Sequence, residues 1–75
     1  MATSLFASRL KELRTERGLS QDAVGKIAGV SRYAVYTYEK GKAFPTAEGL
    51  MALADYFDVT LDYLLGRSDI RKWER

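Results

Sequence analysis

The sequence predicts an all-α domain, and three observations carry that expectation. Apolar residues recur throughout at the three- and four-residue spacing of helices, and no segment alternates for long as a strand does. The one proline is Pro45, so little interrupts a helical pattern. Serines, threonines and glycines stand where helix starts and stops need them. The 75 residues suffice for a single small domain, which must bury nearly every large apolar side chain it has.

Five helices follow in order. The first is expected over 4–17, with Phe6, Leu10 and Leu13 on one face and Gly18 as its stop. The second spans about 21–28, capped by Ser20, with Val24, Ile27 and Ala28 inward. Gly29 and Val30 leave room only for a tight turn. Ser31 caps the third, which Gly41 and Pro45 close. The fourth is expected over 46–57, with Leu50, Leu53, Ala54 and Phe57 inward. Thr60 caps a short fifth helix, LDYLL, ended by Gly66. Residues 1–66 thus form the domain, and 67–75 form a polar tail whose apolar residues are Ile70 and Trp73. Extension of a dimer contact, packing back on the core and disorder are all open for those two.

The third helix has an unusual division of faces. Ser31, Ala34, Val35 and Tyr38 share one side, which is small and partly polar. Arg32, Tyr33, Tyr36, Thr37 and Lys40 fall on the other, and Glu39 lies at the boundary. Such a helix shows its long basic face to something outside the protein. Two short helices joined by a tight Gly-containing turn are the helix-turn-helix pattern. Gly25 sits where the pair crosses, and Gly29 takes a turn position that needs positive φ. Val24, Val30, Val35 and Tyr38 fill the small core between the two helices.

Composition narrows the function. The chain has no cysteine and no histidine. That removes disulfides, the usual zinc ligands, the usual general base and nucleophile pairs built on histidine. No enzyme, metal site or cofactor is expected. The N-terminus lacks the apolar run of a signal peptide, and no stretch could span a membrane, so a cytoplasmic location is expected. The net charge of +2 hides an uneven distribution: residues 1–44 carry +4, residues 45–66 carry −4 and the tail +2. A basic half joined to an acidic half points to a polyanion on one side.

The stretches LSQDAVGKIAGVSRYAVYTYEKGKAFP and GLMALADYFDVTLDYLLG resemble the helix-turn-helix family of phage Cro proteins and lambdoid repressors, the XRE family, over about residues 5–66. The most specific matches are LSQ, GVS, YEKGK and ADYFDVTLDYLL. The resemblance implies a five-helix lambda-repressor-like fold and a homodimer that reads double-stranded operator DNA with the third helix. Arg32, Tyr33 and Thr37 are then placed for base contact, and Arg32 suits guanine O6 and N7 best. Gln21, Ser31, Tyr36, Lys40 and Lys42 are placed for the DNA backbone. Gln21 has a second reading, as a brace for a side chain of the third helix. Arg14 and Glu39 match an internal salt bridge of the family. Leu61 and Tyr63, read as facing outward, fall in the region of the family's twofold contact. Gly25 stands where alanine is frequent, and Tyr33 and Tyr36 are bulkier than the small polar residues frequent there. These departures bear on sequence preference, not on fold. The function expected is a transcriptional regulator, a repressor in most of the family. The alternative is a protein-interaction module of the same fold, of antitoxin or regulatory-subunit type, with a protein partner.

Overall fold

The computed structural model describes residues 2–72, with side chains from Leu5 onward. These residues form five helices: α1 (Ala2–Glu16), α2 (Gln21–Ala28), α3 (Arg32–Glu39), α4 (Ala47–Phe57) and α5 (Leu61–Leu65). Four starts use a hydroxyl cap. The side chains of Ser20, Ser31, Thr46 and Thr60 accept from the N–H groups of Ala23, Ala34, Gly49 and Tyr63 at 3.0, 3.1, 3.2 and 3.0 Å. Each satisfies one of the backbone donors that a helix start leaves unpaired. Thr46 is therefore the cap of α4 and not its first residue. Helix α1 begins two residues earlier than expected and ends at Glu16.

The core is built from both ends of the chain. Phe6, Leu10 and Leu13 of α1 are fully buried, and Val24, Val35, Tyr38, Leu53, Phe57, Val59 and Leu64 meet them. Burying side chains of this size contributes roughly 1.5–3 kcal/mol each. Helix α2 packs on α3 and α4, while α1 packs on α3 and α5. Helix α3 thus rests on two helices and keeps one long side exposed.

The short α5 corrects one expectation. Tyr63 does not face outward: it is 9% exposed and belongs to the core. The guanidinium of Arg9 covers its ring, 4.1 Å from the centroid. Leu61 is half-buried and packs on the edge of the core, and Leu65 is also half-buried. A five-residue helix gives too little periodicity to settle a face.

The beginning of the tail folds back. The N–H of Thr60 donates to the carbonyl of Arg71 at 2.9 Å, and its hydroxyl donates to that of Ile70 at 3.0 Å. Arg9 donates to the carbonyls of Tyr63 and Ser68 and pairs with Asp69 at 2.8 Å. Arg71 pairs with Glu16, whose carboxyl this hydrogen-bonded pairing holds below the usual glutamate range. Residues 67–72 form a strap across α1 and α5. The backbone of Ile70 is tied down while its side chain stays 55% exposed. Trp73 lies outside the described residues.

Candidate nucleic-acid interface

Backbone contact first fixes where α3 sits. A Cβ on Gly25 would lie 2.6 Å from the carbonyl oxygen of Val30 and 3.2 Å from the carbonyl of Ser31. No side chain separates the two helices there. Gly29 at φ +75° lets the Val30 N–H reach back to the Gly25 carbonyl at 2.8 Å. Gly41 ends α3 in the same manner, with the Lys42 N–H on the Thr37 carbonyl at 3.0 Å.

Charge fixes the far end of α3. Arg14 grips Glu39 in a fork, Nε to Oε2 at 2.6 Å and Nη2 to Oε1 at 3.0 Å. Its remaining nitrogen, Nη1, donates to the Leu19 carbonyl at 3.0 Å. The Gln21 amide also donates to Glu39, at 3.2 Å. The Glu39 side chain is only 6% exposed, so this is a half-dry network rather than a surface pair. The hydrogen bond to Glu39 raises the Arg14 pKa, against the opposing effect of burial. Both residues accordingly hold α3 on α1, and Gln21 serves as the brace that was its second reading.

The outer side of α3 carries the remaining residues. Arg32 and Lys42 are exposed, and Tyr33 is 71% and Tyr36 44% exposed. The two tyrosine rings stack, with centroids 6.0 Å apart and planes 29° apart. Lys40 extends over Tyr36, its Nζ 5.5 Å from the ring centroid. Thr37 is less available than expected, because its hydroxyl donates back to the Ala34 carbonyl at 2.7 Å and the residue is half-buried. Its methyl and the lone pairs of its oxygen are what can meet a ligand. The oxygen of Ser31 is engaged as the cap, which leaves its O–H free to point outward.

Two recesses flank Tyr36. Gln21, Arg32, Tyr33 and Tyr36 line one. Lys11, Arg14, Gln21, Tyr36, Glu39 and Lys40 line the other. Lys11 was not among the expected site residues. It falls three residues before Arg14 on α1, a spacing that puts both on one side of the helix. The face as a whole combines cations, hydroxyls and aromatic edges on a rigidly held helix, which is what groove and phosphate contacts require.

Between α4 and α5, Met51, Ala54, Asp55, Val59 and Leu61 line a shallow groove that shares no residue with these recesses, and Met51 is 57% exposed. Leu61 therefore reaches the surface where Tyr63 does not. No helix among the described residues is long and apolar enough to cross a membrane.

Known proteins share this architecture. The model of a helix-turn-helix domain family matches residues 5–65. The HTH-type transcriptional activator BcrR of Enterococcus faecalis is 35% identical over 65 residues, which are 87% of this chain and 32% of BcrR. The chain thus spans about a third of that relative. The P22 c2 repressor, solved in complex with a synthetic operator, superposes with a TM-score of 0.79 at 33% identity, over 85% of this chain and 97% of the other. The restriction-modification controller protein C.AhdI from Aeromonas hydrophila gives 0.73 at 32% identity, over 83% and 94%.

Proposed function

Because the chain belongs to the helix-turn-helix family of phage repressors and related transcriptional regulators, we propose that it binds double-stranded operator DNA sequence-specifically and regulates transcription, as a repressor. One observation carries the reading. Helix α3 is pinned by the Gly25 contact and the Arg14–Glu39 fork, yet its outer side presents Arg32, Tyr33 and Tyr36 without an internal role.

In this reading α3 enters the major groove. Arg32 donates to a guanine edge, Tyr33 and the Thr37 methyl meet base edges, and Ser31, Tyr36, Lys40 and Lys42 contact the backbone. That the similar P22 c2 repressor was solved in complex with a synthetic operator supports DNA as the partner. The chain acts by binding and not by catalysis, in the cytoplasm, with no cofactor. Two copies meet through the Met51–Leu61 groove and hold their recognition helices about one DNA turn, roughly 34 Å, apart. Met51→Glu, which sets a second carboxylate one turn from Asp55, should then give a folded monomer by sedimentation. A persisting dimer would move the interface elsewhere.

The test of the reading is selection from a random duplex library at near-physiological salt, with competitor DNA. Enrichment of a palindrome with half-sites one turn apart is the expected result. A folded protein that enriches nothing would sink it and turn the search to a protein partner.

A further inference from the structure

The recess beside Tyr36 holds one exposed cation, Lys11, to which the docking just described gives no part. Its charges can be followed one by one. Glu39 is neutralised by Arg14, and Gln21 also points its amide at Glu39. The Arg14 charge is matched by Glu39, and three of its five N–H donors go to Glu39 and the Leu19 carbonyl. Two ammonium groups are left, on Lys11 and Lys40. Among the described residues neither forms an ion pair, whereas Arg9, Arg14, Lys26 and Arg71 all do. The recess therefore carries two uncompensated positive charges over a neutral floor. Tyr36 is its wall, and the far side of that wall faces the recess of Arg32 and Tyr33.

We propose that Lys11 and Lys40 together hold one DNA backbone phosphate in this recess. Helix α1 is then a third element of the DNA face. Tyr36 divides the face into a part that reads bases, around Arg32, and a part that clamps the backbone. The chemistry suits that division. A compact ammonium recognises a phosphodiester oxygen as a point charge and asks little of its orientation. Two such charges are too few to hold a free phosphate well in water. They suffice for a phosphate that the neighbouring groove contacts already bring into place.

The proposal rests on the DNA-binding reading, so the test separates the two. Lys11 is exposed, and Lys11→Gln should keep the parent melting temperature. Against the selected duplex, the variant should lower the slope of log affinity on log salt by about one, and weaken unrelated duplexes by the same factor. Lys11→Arg should keep the parent slope. Neutral methylphosphonates placed one at a time along the duplex should reveal a position that weakens the parent and leaves Lys11→Gln unaffected. An unchanged slope in a variant whose parent still selects a palindrome overturns the Lys11 assignment alone. A Lys11 signal that responds to millimolar inorganic phosphate, with no change of slope on DNA, overturns the DNA source. A parent chain that binds no DNA removes the premise as well.

Discussion

Replacing Gly25 by alanine sets two known effects against each other. Alanine is the better helix former by about 1 kcal/mol in a helix interior. The added methyl, however, meets the Val30 carbonyl oxygen at 2.6 Å and the Ser31 carbonyl at 3.2 Å. Both obstacles are backbone, so no side-chain rotation can relieve them. The turn is also held from both sides, by the Val30 N–H on the Gly25 carbonyl and by the Ser31 cap on α3. Helices α2 and α3 must separate, and overpacking of this kind typically costs about 1–3 kcal/mol. The steric term should win, for a net loss of about 1 kcal/mol, or about 4–8 °C in Tm for a domain of this size. Since the separation moves α3 against α2, affinity for the selected duplex should fall beyond what unfolding explains. Gly29→Ala is the control: nothing lies within 4 Å of its Cβ, and its cost is that of φ +75° alone. It should lower Tm without changing DNA affinity per folded molecule. Thermal melts and duplex titrations of both variants check this. A Gly25→Ala domain as stable as its parent, with unchanged affinity, would refute the close-crossing argument.

Three further predictions follow from the same contacts. Arg14→Ala strands a Glu39 carboxylate that only Gln21 still serves, and should cost about 3 kcal/mol in urea unfolding, the low end for a broken buried pair; a loss near zero would make the fork a surface ornament. Arg32→Ala should cost about 1–3 kcal/mol on the selected site and relax one base pair, whereas equal weakening of all duplexes would assign Arg32 to phosphate. Glu16 titrates below the usual glutamate range because of Arg71, so its contribution is present above the unfolded pKa and lost as acid carries the pH down through the folded one. The protection factor of the Thr60 amide, taken against its intrinsic exchange rate, should therefore fall in acid, and Glu16→Gln should abolish that step; an identical pH profile in the variant would disprove the link.

The parts of the molecule that the sequence made legible share a local cause. Ser20, Ser31 and Thr60 cap because a hydroxyl reaches an N–H three residues on. Gly29, Gly41 and Gly66 stop helices because they accept positive φ. Val24, Val35 and Tyr38 are buried as the helical spacing predicts. Misreadings arose where a partner came from far along the chain. Tyr63 is covered by Arg9, 54 residues away, and nothing near Tyr63 announces it. At Thr37 the helical face alone does not reveal that its hydroxyl back-bonds within its own turn, which competes with any ligand. Lys11 was within reach of sequence reasoning, because helical spacing puts it on the same side of α1 as Arg14, three residues on.

The strap has a consequence for how the molecule assembles. Its contacts to Arg9 and Glu16 join residues 55 to 60 positions apart, whereas α2 and α3 meet across the three-residue turn 29–31. Closing so long a loop is entropically costly before any contact rewards it. The helix pair should form early in folding and the strap should close last. In the native state the order reverses, and the strap should open first, at the low-energy end of the ladder of local openings. Such breathing would begin at α5 and the outer turns of α1, leaving the Gly25 crossing closed while it happens.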